Sequence, residues 1–314
     1  MTAILGITFP IYALIALGYV IVHKGVFEAS DMRTLGRYVL NLALPALLFT
    51  AVAKRDVAEV FQPDYMLVYA LGGLLTAALA WGVLTLQRTD PARRALGVMG
   101  SICPNNAFVG YPIMLLAFPD LAGMILALNF LVENILLVPL SLLLMELAAG
   151  GGGRGPLRTL GGILLGLVKM PMIIGLLAGL AASLVGLTIP GPVDRVLSML
   201  ATSAAALSLI VIGGSLVGLP LSGNRGLAAQ IVALKLIAQP ALVGAVLLAL
   251  TAVGAVSLTP DLRVAVVLSA AMPMFGIYTV LAQRHGLAGA ASLAMLGATT
   301  AAFVTLNALL YLLT

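Results

Sequence analysis

Apolar runs long enough to cross a bilayer follow one another along almost the whole chain. About 20 helical residues span the hydrocarbon core, where every backbone N–H and C=O must find a partner within the protein. Short segments of alternating polarity, the mark of a membrane barrel, are absent. The expected fold class is therefore an all-α polytopic membrane protein. Charged residues make up only 9% of the chain, against roughly 25% in soluble domains. The net charge of +5 comes from short connections, where basic residues set topology, so it does not indicate a nucleic-acid partner.

Measured against the 20-residue ruler, about ten spans are expected. They lie at 4–22, 38–53, 65–86, 95–118, 121–147, 171–187, 193–217, 227–253, 262–282 and 288–313, with an interfacial piece at 157–168. The first nine residues contain no Lys or Arg, so the first run reads as a retained span and not a cleaved signal. Lys24, Arg33, Arg37, Arg88, Arg93, Arg94, Arg154, Arg158, Arg225 and Arg284 lie in one set of connections; Lys54, Arg55, Arg195 and Arg263 lie in the other. The basic side is cytoplasmic, which places both termini outside a cell (inner) membrane.

The chain also divides in two. Residues 1–148 and 159–314 each hold five spans, joined by a glycine-rich linker at 149–158. Pro10 and Gly18 of the first span recur as Pro171 and Gly179 of the sixth. An odd number of spans per half turns the second half upside down, so the expectation is a five-plus-five inverted repeat.

Two spans carry what a continuous membrane helix should not. One holds Ser101-Ile102-Cys103-Pro104-Asn105-Asn106-Ala107-Phe108-Val109-Gly110-Tyr111-Pro112; the other holds Ala270-Ala271-Met272-Pro273-Met274-Phe275-Gly276. Proline removes a donor and crowds the preceding turn, so both helices should break. Broken helices at corresponding places in two halves point to a transporter's binding site.

The polar residues within the spans are the candidate site. Asn105 and Asn106 offer donors and acceptors beside opened backbone. A half-helix N-terminus there favours a carboxylate; alternatively the amides only satisfy the break. Ser101, Tyr111 and Tyr278 are companions, read either as part of the site or as packing residues with satisfied hydroxyls. Asn41 with Pro45 suggests a kink in the second span, facing a substrate path or purely structural. Glu133, one turn after Asn129, is a carboxylate expensive to hold charged in the membrane, so it reads as a proton carrier or as a fixed partner between spans. Lys235 and Gln239 share a helical face. Lys235 could attract an anion, neutralise Glu133, or snorkel to the interface.

Several motifs resemble the auxin efflux carrier family. They are Pro104 through Pro112, Pro273 with Ala282-Gln283-Arg284-His285-Gly286, Leu44-Pro45-Ala46-Leu47-Leu48-Phe49, and Lys169-Met170-Pro171. The short linker suits the bacterial, malonate-transporter-like branch. The resemblance implies a scaffold from spans one, two, six and seven, and a transport domain from spans three to five and eight to ten. It further implies two broken helices that cross at Pro104 and Pro273, elevator-type movement of small organic anions, and a homodimer. Met274 stands where the first break has Asn105, which departs from a symmetric amide site.

The expected function is secondary transport of a small organic anion: a dicarboxylate such as malonate or malate, or an auxin-like carboxylate. No cofactor is expected, and coupling to protons or sodium is left open. The alternatives are a sodium-coupled carrier resembling bile-acid symporters and a receptor without transport. An enzyme is not expected: one cysteine, Cys103, and two histidines, His23 and His285, build neither a metal set nor a catalytic triad.

Overall fold

The computed structural model describes residues 2–150 and 156–313. Within them the regular elements are helices, and the one β feature is an isolated bridge. The expected linker at 149–158 falls largely on 151–155, outside the described residues.

The helices in order are α1 (Thr2–His23), α2 (Ala29–Ala53), α3 (Pro63–Leu86), α4 (Pro91–Ile102), α5 (Asn106–Ala117), α6 (Ala122–Ala148) and α7 (Pro156–Val168). They continue with α8 (Pro171–Leu184), α9 (Gly191–Ser215), α10 (Arg225–Ala252), α11 (Pro260–Ala270), α12 (Tyr278–Gln283) and α13 (Ala288–Leu313). A single turn, Val57–Val60, precedes α3. Among the described residues seven helices are long and apolar enough to cross a membrane, and the bent pair α7 and α8, at 70°, would make an eighth. Large apolar side chains such as Phe9, Leu248 and Leu312 face outward, as a lipid-facing surface requires. The chain is thus a multi-pass α-helical membrane protein.

The start of the second helix departs from expectation. The second helix begins at Ala29, ahead of the expected 38, because Glu28 and Asp31 form a capping box at its start. The 95–118 and 262–282 spans are each in two pieces, and no piece alone has the length of a span.

The helices start and stop where local chemistry dictates. Asp90 caps α4 by accepting from the Arg93 N–H at 3.0 Å, with Pro91 in the first turn. Thr259 and Pro260 do the same for α11. Wide, π-type turns interrupt α2 at Val39–Ala43, α6 at Glu133–Leu137 and α10 at Leu234–Ala238. Each ends just before a residue followed by proline: Leu44-Pro45, Val138-Pro139 and Gln239-Pro240. A proline offers no donor to the carbonyl four residues back, and its ring needs room there. The residue before it therefore bonds five residues back: Leu44 to Val39, Val138 to Glu133, Gln239 to Leu234.

The helices fall into two compact units. The first comprises Met1–Gln62, Asn106–Phe130 and Gly166–Gly218; the second comprises Pro63–Asn105, Leu131–Leu165 and Leu219–Thr314.

In the first unit glycines let backbones touch, as small residues do between membrane helices. A Cβ on Gly18 of α1 would lie 2.2 Å from the Ile210 carbonyl oxygen of α9, and one on Gly213 would lie 1.8 Å from Ile15 O. On α8, the same test at Gly175 and Gly179 meets Pro45 O at 2.5 Å and Phe49 O at 2.7 Å on α2. Ser208 of α9 donates to Phe108 O at 3.0 Å. Pro112, four residues on, has no N–H to offer that carbonyl.

In the second unit α3 packs through Gly72 on Val243 of α10 and through Gly73 on Leu137 of α6. Arg94 stacks over Trp81 at 5.0 Å. Fully buried Tyr65, Tyr69, Tyr278 and Lys235 form its polar interior.

Candidate functional site

The two interruptions meet in the second unit. Past Ile102 the chain is extended at Cys103, with φ −104° and ψ 90°. Pro104 then lies opposite Met274 in an antiparallel bridge. Asn105 donates its N–H to Pro273 O at 2.7 Å, and Phe275 donates its N–H to Cys103 O at 3.1 Å. In this register the bridging pair itself donates nothing, so Pro104 loses nothing by lacking an N–H. The prolines also limit the ladder. A further rung beyond Asn105 would need an N–H from Pro273, which has none; on the other side the Cys103 N–H is held by Met99 O of α4. One rung satisfies two donors and two acceptors that would each cost several kcal/mol unpaired in hydrocarbon.

The helix ends flanking the bridge have their own partners. The last carbonyls of a helix have no intrahelical donor. Lys235 Nζ donates to Ala270 O, the last carbonyl of α11, at 3.0 Å, and also to Gln239 Oε1. Gln239 Nε2 in turn donates to Ile102 O, the last carbonyl of α4, at 3.5 Å. The wide turn of α10 holds Lys235, and Gln239 follows directly. Lys235 is fully buried, which overturns snorkelling: its ammonium bonds to the last carbonyl of α11 and to Gln239.

Around this core, Tyr278 OH donates to Leu96 O at 3.3 Å. Gly100 lets α4 lie against the ring, since a Cβ there would meet the Tyr278 hydroxyl at 2.8 Å. Ser101 is buried and donates to Gly97 O of its own helix at 2.7 Å. Tyr69 OH donates to Glu133 Oε1 at 2.9 Å. Tyr65 OH and Ser269 Oγ lie 3.1 Å apart, and Cys103 Sγ and Ser141 Oγ 3.3 Å apart. Sequence reasoning passed over Tyr65, Tyr69, Ser141 and Ser269. Tyrosines every four residues on α3 were the available signal for the first two.

The structure thus brings Pro104, Pro273, Met274, Asn105, Lys235, Gln239 and Tyr278 into one cluster, and gives Glu133 a tyrosine partner in the same unit. Asn105 and Asn106 are 4% and 2% exposed. Asn106, Tyr111 and Asn41 belong to the first unit. Tyr111 is buried there, whereas Asn41 is exposed and turns its Nδ2 onto Arg37 O at 2.6 Å. Among the described residues no three or more His, Cys, Asp and Glu gather as a metal set. A groove of ≈ 440 Å³ between α10 and α13 is lined by Arg225 and Thr305 and otherwise by Ala, Val, Leu, Ile and Gly.

Buried polar groups around paired helix breaks in an otherwise apolar bundle are what a solute pathway needs, and comparison with known proteins agrees. The family described as Membrane transport protein matches residues 3–152 and 155–311. A Rhizobium meliloti protein named "Putative malonate transporter" is 30% identical over all of this chain and 97% of its own length. The "Uncharacterized transporter YfdV" of Escherichia coli is 23% identical over 68% of each chain. An "Uncharacterized transporter" of Methanothermobacter thermautotrophicus is 27% identical over 65% of each. The chain belongs to the membrane transport protein family, the auxin efflux carrier family that its motifs resemble.

Proposed function

We propose that this protein is a secondary transporter of a small organic anion, a dicarboxylate such as malonate or malate, working by elevator-type alternating access. The observation that carries the reading is the pair of broken helices joined by one bridge, with the buried amide of Asn105 beside it. The α5 helix begins at Asn106, so its positive end adds to the attraction for a carboxylate. The full-length similarity to a protein named for malonate supports the substrate class.

Counting α4 with α5 and α11 with α12 as single broken spans, and α7 as interfacial, gives ten spans in two inverted halves. The matching roles of Gly18 and Gly179, each against a neighbouring backbone, support that repeat. The grouping of α1, α2, α8 and α9 in the first unit supports a scaffold from the first, second, sixth and seventh spans. Contacts also group Asn106–Phe130 with that unit, so the moving part is centred on α3, α4 and α10 to α13. The protein works in the inner membrane with both termini outside, as a homodimer, and Glu133 serves as proton carrier.

The test is thermal stabilisation of the detergent-purified protein by malonate, malate, succinate, indole-acetate and taurocholate, with and without sodium. Ligand at a hundredfold its Kd stabilises by about 2.7 kcal/mol. A shift with a dicarboxylate that disappears in Asn105→Ala is expected. A shift with taurocholate and sodium alone would refute the assignment.

A further inference from the structure

The ammonium of Lys235 sits where two helix C-termini converge, and it donates to oxygens. Nζ donates to Ala270 O and Gln239 Oε1, and Gln239 relays to Ile102 O. These carbonyls close α11 and α4. Each helix C-terminus carries roughly half a negative elementary charge, so the two together present about one. Glu133 is also near enough for its charge to act on Lys235. Such a surround attracts a cation and repels an anion, which removes Lys235 from the set of substrate-carboxylate ligands.

Unwound carbonyls and half-helix C-termini are also the groups with which broken-helix transporters hold a coupling sodium ion. We propose that Lys235 is a built-in cation: its ammonium fills, within the chain, the place at the helix breaks that a bound monovalent cation would take, and so makes the fold and its cycle independent of sodium. Charge balance favours one occupant. The ammonium's one positive charge balances about one negative charge from the helix ends, and the Glu133 carboxylate has its own donor in Tyr69. Geometry agrees: the wide turn Leu234–Ala238 and Pro240 fix Lys235 and Gln239 on α10, and Lys235 is fully buried.

The test needs no substrate, so its failure leaves the organic-anion reading intact, and failure of that reading leaves this one intact. Wild type, Lys235→Ala and Lys235→Met are purified and melted in sodium, lithium, methylammonium and choline chloride at equal ionic strength. Wild type is expected to melt at one temperature in all four. Lys235→Ala, which opens room, should melt lower in choline and regain at least half the loss in sodium or methylammonium. Lys235→Met, which fills the room without charge, should melt lower and regain nothing. If Lys235→Ala folds only when sodium or methylammonium is present throughout extraction, that too supports the proposal. A sodium-dependent wild type, a Lys235→Ala variant that melts like wild type or loses equally in every salt, or failure of both variants to fold in all four salts would each overturn it.

Discussion

Removing the Tyr69 hydroxyl tests how the membrane-embedded carboxylate is held. Tyr69 is fully buried and Glu133 is 6% exposed, with 2.9 Å between OH and Oε1. Tyr69→Phe deletes the donor and leaves the ring packing in place. A hydrogen bond to a charged group contributes about 1.5–3 kcal/mol, and one between neutral groups about 0.5–1.5. Glu133 has further interactions, so its carboxylate is not orphaned and the loss stays within the first range. Tyr65→Phe is the internal control, because its partner at 3.1 Å is the neutral Ser269 hydroxyl; it should cost no more than about 1.5 kcal/mol. The assay is a double-mutant cycle with Glu133→Gln, with stability read from reversible denaturant titration in mixed micelles. A coupling of about 1.5–3 kcal/mol at neutral pH that shrinks to the neutral range in acid would show an ionised Glu133 that takes up a proton there. Effects additive to within about 0.5 kcal/mol at both pH values would refute the bond as a stabilising contact, and with it Tyr69 as the group that holds Glu133.

Gly213→Val should be the most damaging change in the first unit. Its Cβ would lie 1.8 Å from Ile15 O, a backbone atom that cannot yield, so a loss of about 3 kcal/mol is expected, read as lower yield and melting temperature. Ser208→Ala removes the 3.0 Å hydrogen bond to Phe108 O and should cost about 0.5–1.5 kcal/mol in the same melt. Lys54→Met removes a 2.6 Å ion pair with Asp194 in which both side chains are about a third or more exposed; less than about 1 kcal/mol should follow, falling further in salt. Ser101→Ala should leave dicarboxylate-induced stabilisation unchanged, because its hydroxyl serves Gly97 O, whereas Asn105→Ala removes that stabilisation.

Much of the fold was legible because its signals are local. Long apolar runs gave most helix limits to within a few residues, as at α6, α10 and α13, and prolines gave both breaks. The start of α2 was not, since Arg33 and Arg37 lower the apolar score of a turn that a capping box nevertheless makes helical. At the site, sequence supplied residue types but not partners. Lys235 was open between snorkelling and a buried role because both fit i,i+4 spacing with Gln239; only the position of the Ala270 carbonyl, 35 residues on, decides it. Tyr69 and Glu133 are 64 residues apart, and nothing in either neighbourhood announces the pairing.

One local rule does connect the prolines with the polar residues. The wide turn before Pro45 carries Asn41, the one before Pro139 carries Glu133 and Asn134, and the one before Pro240 carries Lys235. A fourth, at Asn106–Gly110, carries Asn106 and runs into Tyr111-Pro112. An ordinary helical turn hides its carbonyls in its own ladder; a turn widened by a following proline loosens that ladder by one residue. Such a turn suits a polar side chain in hydrocarbon, because loosened acceptors lie within reach, as Asn41 shows by bonding to Arg37 O. Widened turns are common at functional sites for the same reason. In this chain each of the four wide turns before an in-span proline therefore carries at least one polar side chain. Asn41, Asn106, Glu133, Asn134 and Lys235 each lie on such a turn, whereas Ser101 and Asn105 do not.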